Sequence, residues 1–192
     1  MIRATNVRLS GASRTTASRP RGGVTTSSRG SGDSGGHFVL WSIIGVLILV
    51  LDQATKFWFE HKLDPGDVIN ILPGFNFVLA HNYGAAFSLL AEMGGWQRWL
   101  FSGLAFFVAC LVLKLLRRYK NRTLLCLALT LLGAGAVGNL CDRVHLGYVI
   151  DFIDLYWRTW HWPAFNVADI AICMGATGIV LDEFVGASKS SR

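Results

Sequence analysis

Charge is what the 192-residue chain has least of: Asp, Glu, Lys and Arg make up 16% of it against 52% hydrophobic residues. With a mean hydropathy of +0.43, this excludes an ordinary soluble domain and points to a polytopic membrane protein. Cysteine is scarce as well. Cys110, Cys126, Cys141 and Cys173 form no CxxC and have no metal-type spacing, which argues against a disulfide framework; all four lie in apolar stretches and read as small buried residues. HExxH, GxSxG, the P-loop GxxxxGK pattern and GxGxxG are all missing, and His61, His81, His145 and His161 show no ligand-like spacing. No metal and no cofactor is expected.

Large apolar residues are missing from one end only. The first 36 residues are rich in Ser, Thr, Gly and Arg and hold Arg3, Arg8, Arg14, Arg19, Arg21 and Arg29 against Asp33 alone, so most of the net charge of +6 belongs to this tail. It cannot bury enough surface to offset its ordering entropy and is expected to be a disordered cytoplasmic extension. It has no clear amphipathic period of the transit-peptide kind, and no aromatic residue is interleaved with its arginines, so nucleic acid is not an expected partner. The domain plan is a tail over 1–36, a membrane domain over 37–186 and a short C-terminal tail over 187–192.

What is there in abundance is apolar runs. Four stretches, Phe38–Trp58, Trp96–Leu116, Thr123–Cys141 and Phe165–Val185, approach the roughly 20 residues needed to cross about 30 Å of hydrocarbon. The first lacks a small-residue cleavage site before Asp52 and reads as a retained span. The N-terminal tail, the connector 117–122 and the last residues hold twelve Lys and Arg, whereas 59–98 and 142–164 hold Lys62, Arg98, Arg143 and Arg158. The positive-inside rule therefore puts both termini in the cytoplasm.

Two segments are left on the outer side. In the first, a Pro73-Gly74 turn precedes an alternation with Phe75, Phe77 and Leu79 on one face and Asn76, Val78 and Ala80 on the other, which predicts a small sheet at the membrane surface. In the second, Tyr156, Trp157, Trp160 and Trp162 read as an interfacial aromatic belt. The fold class is thus an all-α membrane protein, a four-transmembrane-helix bundle with a small extracytoplasmic β-sheet.

Asp151 follows the outer end of the third span and Asp169 opens the fourth, so both lie at similar depth. On one continuous helix they would stand about 27 Å apart, but Gly147, Pro163 and the aromatic cluster predict a chain that turns back. Two acids brought together at a low-dielectric boundary cannot both ionise easily; they share a proton, which is the electronic state of an aspartic-protease dyad. Asp169 on its own is equally a helix-entrance acid compensating the dipole. Asn139, Asp142 and Arg143 would share one face of a helix end, with an Asp142 to Arg143 ion pair holding the turn, and Asp52 and Lys56 are spaced for an intrahelical pair in a supporting role. A Ser/Lys protease would have to use Ser88 and Lys56, which nothing in their spacing joins. A proton-coupled transporter would use intramembrane acids too, but those sit near the midplane and within internal repeats, and no repeat is apparent here. A purely structural membrane scaffold is the third alternative.

The blocks "DQATK" (52–56), "HNYGAAFS" (81–88), "GNLCDRVHLGYVIDFID" (138–154) and "FNVADIAI" (165–172), in this order on a four-span layout, resemble those of bacterial lipoprotein signal peptidase, signal peptidase II. The resemblance covers about residues 38–186; "GAGAVGN" stands where a Gly-Gly start is more usual. It implies a membrane aspartic endopeptidase of the bacterial inner membrane that removes the signal peptide from prolipoproteins whose cysteine carries diacylglycerol, with lipid-modified prolipoproteins and membrane lipid as partners and a monomeric state. Its catalytic pair falls on Asp151 and Asp169. Asn82, Gly84, Asn139, Asp142, Arg143, Asn166 and Ala168 match its active-site surroundings, and Asp52 and Lys56 its first block.

Overall fold

The computed structural model describes residues 33–84 and 94–190. Their elements run α1 (Asp33–Lys62), β1 (Val68–Leu72), β2 (Phe75–Asn82), α2 (Gln97–Arg118), α3 (Thr123–His145), β3 (Val149–Trp157), β4 (Trp160–His161) and α4 (Val167–Ser190). Helix α1 begins within the last residues of the segment assigned to the N-terminal tail, and α4 continues into the segment assigned to the C-terminal one. Residues 1–32, and Ser88 of the Ser/Lys alternative, lie outside the described residues.

Three helices, α1, α2 and α3, are long and apolar enough to cross a membrane. Helix α4 is of similar length but carries Asp169, Asp182 and Glu183. Apolar residues on every side suit helices whose outer faces meet lipid, and Val50 and Phe57 of α1, Phe106 and Phe107 of α2, and Val180 and Phe184 of α4 are all exposed. Among the cysteines only Cys126 is buried; Cys110 and Cys173 are exposed and Cys141 is intermediate. The expectation of four buried thiols is therefore corrected: an apolar run predicts depth in the bilayer, not which side of the helix meets protein.

Helix α3 is the central one, packed against α1, α2 and α4, and its stretch of Gly133, Ala134, Gly135 and Ala136 is buried throughout. Small residues let backbones approach closely where hydrophobic burial supplies no drive between helices. A Cβ on Gly135 would collide with the Ala168 carbonyl, and one on Gly175 would lie 2.6 Å from both the Ala128 carbonyl oxygen and the Leu132 amide nitrogen. Because those neighbours are backbone, Gly175→Ala is expected to force α3 and α4 apart at a cost of about 1–3 kcal/mol. Thermal unfolding in detergent would show a lowered midpoint; an unchanged midpoint would mean that this helix contact contributes no stability.

The sheet is larger than expected from sequence, four antiparallel strands in the order β1-β2-β3-β4. Pro73 and Gly74 make the β1–β2 turn, Gly74 at φ 90°, where a side chain would be strained. The expected two-face alternation of β2 is broken: its buried positions are Asn76 and Leu79. The cause is a bulge. Phe77 pairs with Ile153 and Ala80 with Asp151, so Val78 and Leu79 together oppose Phe152. One inserted residue exchanges the faces of everything beyond it, and so sets the register of His81 and Asn82 against Ile150 and Val149. Beneath the sheet, Phe59 of α1 stacks on Phe152 with ring centroids 4.3 Å apart. The acid-bearing segment is thus a strand, and its hairpin with β4 leaves Trp157, Trp160 and Trp162 exposed.

Candidate active site

The site is built on a buried ionic cluster. Lys56 is 1% exposed, and its Nζ lies 2.9 Å from Asp52 Oδ2, 2.8 Å from Asp142 Oδ2 and 2.8 Å from Asn139 Oδ1. The expected Asp52–Lys56 pair is present, but it is one side of a larger network. Gln53 donates to Asp142 at 2.9 Å, the Ile150 amide donates to the same carboxylate at 3.3 Å, and the Ala168 amide donates to Asp52 Oδ1 at 2.8 Å. Helices α1 and α3, strand β3 and the start of α4 are joined through this cluster. Gly138 makes room for it, since a Cβ there would sit 2.5 Å from Asp52 Oδ2.

The expected Asp142–Arg143 ion pair is corrected by this geometry. Consecutive helical residues point about 100° apart: Asp142 turns to Lys56, while Arg143 donates to the Gly84 carbonyl at 3.0 Å and the Asn139 carbonyl at 3.3 Å and lies over the Phe101 ring.

Asp151 and Asp169 meet through Asn166. At the entrance of α4, the Asn166 side-chain oxygen accepts from the Asp169 amide at 3.0 Å, and Asp169 Oδ2 accepts from the Asn166 amide at 3.2 Å. This reciprocal pair is a capping box, which places Asp169 at the entrance of α4, as its reading as a helix-entrance acid expects. The Asn166 amide group donates at 2.7 Å to Asp151 Oδ1, 3.2 Å to the Ile150 carbonyl and 3.3 Å to Asn139 Oδ1. Asn82 donates to the other Asp151 oxygen at 3.0 Å and accepts from the Gly84 amide at 3.0 Å. Asn139, its oxygen held by Lys56, donates to Asp169 Oδ1 at 2.8 Å. The cluster therefore orients the amides, and the amides orient the acids.

Asn82, Asn139, Arg143, Asp151 and Asp169 line one cavity of about 620 Å³, whose walls continue through Phe165 and Trp162 to Ile170, Cys173 and Met174 on α4. Asp52, Lys56 and Asp142 lie behind it. Lys56 of the Ser/Lys alternative faces Asp52, Asp142 and Asn139 and does not line the cavity. Among the described residues no group of three His, Cys, Asp or Glu side chains is placed to hold a metal ion. Gln53 and Phe101 were missed from sequence; Gln53 stands three residues before Lys56, a spacing that puts both on one helix face.

Asp151 is 2% exposed. Burial, then the neighbouring Asp169 carboxylate, push its carboxyl from 3.8 up to about 7, against the donors Asn82 and Asn166 and the Lys56 charge. The raised value means that folding favours the protonated form. Its contribution to stability is complete below about pH 4 and is lost as pH rises through about 7. Thermal unfolding in detergent is expected to show a falling midpoint across that window, and Asp151→Asn should flatten the fall. An unaltered slope in the variant would place the ionisation elsewhere.

A family model described as Signal peptidase (SPase) II matches residues 44–185. The lipoprotein signal peptidase of Shewanella loihica is 49% identical over 150 residues, 78% of this chain and 88% of that protein. That of Ralstonia nicotianae is 48% identical over 155 residues, 80% of this chain and 90% of its own. Among solved structures, a bacterial membrane enzyme determined by the in meso method at 2.3 Å resolution aligns with a TM-score of 0.71 and 27% identity, covering 79% of this chain and 91% of that one.

Proposed function

The chain belongs to the signal peptidase II family, and from that membership we propose that it is an aspartic endopeptidase with Asp151 and Asp169 as its catalytic pair. It is an integral membrane protein that cleaves the signal peptide from prolipoproteins. The observation that carries the aspartic reading is the buried Asn166 side chain, which bonds Asp151 at 2.7 Å and the Asp169 backbone at 3.0 Å and so ties together two acids that line one cavity.

In this reading the two carboxyls share one proton. The ionised one takes a proton from a water molecule as the water oxygen adds to the scissile carbonyl carbon. The protonated one donates to the carbonyl oxygen. Collapse of the tetrahedral adduct breaks the C–N bond as a hydroxyl proton returns to the second carboxylate and the leaving nitrogen receives the proton held by the general base, so the pair regains its one shared proton and no covalent enzyme intermediate forms. Arg143 and Asn139 hold the walls; Lys56, Asp52 and Asp142 fix the amides from behind.

The fourth span in this reading is α4, with its acid-bearing start at the outer face of the bacterial inner membrane and both termini in the cytoplasm, which the distribution of Lys and Arg supports. The sheet then lies outside, with Trp157, Trp160 and Trp162 at headgroup depth. The chain acts as a monomer. The transporter alternative has no support among the relatives.

The reading is tested with purified protein in detergent or lipid, incubated with a lipidated prolipoprotein and examined for the cleaved product. A chain bearing an unmodified cysteine is expected to be cut at least about tenfold more slowly than its diacylglyceryl-modified form, because binding energy from the acyl chains would help hold the scissile bond beside the acids. Equal rates for the two substrates would remove the lipid from recognition.

A further inference from the structure

A second polar cluster stands outside the acid pair and its ionic foundation. Glu60, near the end of α1, uses both carboxylate oxygens: Oε1 accepts from the Tyr148 hydroxyl at 2.9 Å and Oε2 from His81 Nε2 at 3.0 Å. The His81 and Tyr148 rings stack with centroids 4.1 Å apart and planes 24° apart, and Tyr83 approaches the far side of the cluster with its ring 5.4 Å from that of Tyr148. His81 immediately precedes Asn82 on β2, and Tyr148 immediately precedes β3. The pairing of β2 with β3 ends at Asn82 opposite Val149. Asn82 is therefore at a strand end, where backbone pairing holds a residue from one side only and the side chains around it must supply the rest of its order.

We propose that Glu60, His81 and Tyr148 form a positioning clamp that ties the end of β2 and the start of β3 to α1 and so keeps the Asn82 amide on Asp151. The clamp deepens the reading of Asp151 as a catalytic acid and rests on it. None of the three residues touches the reacting atoms in this role. They act through Asn82, whose bond to Asp151 Oδ2 is 3.0 Å long. The bonds to Glu60 are charge-assisted and hence directional. Burial, followed by the bond to Glu60, pushes the Tyr148 phenol up to about 12, so it remains a donor through the neutral range.

The electrostatic surroundings of Asp151 make the clamp measurable. It is faced by Asp169 from α4, Lys56 from α1 and Arg143 from α3, while Asn82 and Asn166 donate to it. The Asn82 bond favours the ionised carboxylate. Loss of the bond therefore moves the ionisation of Asp151, and with it the fall of stability described above, to higher pH.

The test is thermal unfolding of the full chain in detergent as a function of pH, which needs no substrate and so gives an answer whether or not the cleavage reading holds. Each variant is paired with its Asp151→Asn counterpart, so that the difference isolates Asp151 from the titration of His81 and Glu60 themselves. Glu60→Ala is expected to move the Asp151 transition upward in pH, as Asn82→Ala should, and the double variant should match Asn82→Ala alone. Tyr148→Phe, which leaves the His81–Glu60 contact in place, should move it the same way by less. Glu60→Gln, which keeps one acceptor oxygen but puts an amide donor in place of the other, should also move it by less than Glu60→Ala does. In cleavage assays Glu60→Ala should lower kcat about 10- to 100-fold with KM little changed. A Glu60→Ala protein that unfolds at lower temperature with its Asp151 transition unmoved would make the cluster purely structural and overturn the proposal. Full addition of the Glu60→Ala and Asn82→Ala shifts would overturn it as well. Failure of the wild-type chain to cleave a lipidated prolipoprotein would instead count against the protease reading.

Discussion

Asp151→Asn and Asp169→Asn are each expected to reduce single-turnover cleavage of a lipidated prolipoprotein by about 10³-fold or more, while substrate still binds. Removing a positioned acid or base costs about 10²–10⁴ in rate, and in the proposed mechanism each variant removes half of one working pair, so the two losses should not multiply in the double variant. Both substitutions keep the shape of the side chain. At position 169 an amide oxygen can still accept from the Asn166 backbone, which preserves the cap of α4. Asp142→Asn is the informative control. Asp142 lies in the same sequence block as Asp151 but is turned to Lys56, Gln53 and the Ile150 amide, outside the cavity. Its variant should lose stability first and activity only in proportion. A well-folded, inactive Asp142→Asn beside an active Asp151→Asn would reassign the pair to Asp142 and Asp169.

The largest loss of stability is expected from Lys56→Met. Its ammonium is the shared partner of Asp52 and Asp142, all three at most 3% exposed. Deleting one member of a buried ionic group leaves the others uncompensated, at a cost of about 3–5 kcal/mol. The measurement is thermal unfolding in detergent, or the yield of folded protein where the variant does not survive extraction. Adding Asp142→Asn to Lys56→Met should recover part of the loss, because one stranded carboxylate is then neutral. A single variant as stable as wild type would show that the cluster contributes nothing net to the fold. Lys56→Met should also slow cleavage, since Lys56 holds the Asn139 oxygen while the Asn139 amide donates to Asp169.

Local features were legible from sequence because they depend on neighbours in the chain. Span positions follow from runs of apolar residues. The Asp52–Lys56 contact follows from a spacing of four on a helix, and the Pro73-Gly74 turn from the conformational limits of two residues. The blocks that resemble signal peptidase II already held Asp151, Asp169, Asn82, Asn139 and Asn166, and the structure brings these five side chains into one hydrogen-bonded group. Other expectations failed for a common reason. Nothing adjacent in sequence says that Asp142 turns to a lysine 86 positions earlier while Arg143 turns away. Nothing in the alternation of Phe75 to Ala80 reveals the bulge, because a bulge exists only relative to the partner strand.

By itself, then, the sequence determined the class of molecule, the helices and the residue types from which a shared-proton acid site could be assembled, since hydropathy, helical period and turn chemistry act over a few residues. Only the tertiary structure decided which way Asp142 and Arg143 turn, which cation neutralises Asp52 and Asp142 together, and how Asn166, Asn139 and Asn82 divide their hydrogen bonds. Those choices depend on buried groups from α1, α3, α4 and the sheet satisfying one another where water cannot, and burial of that kind arises from contacts between residues far apart in the chain.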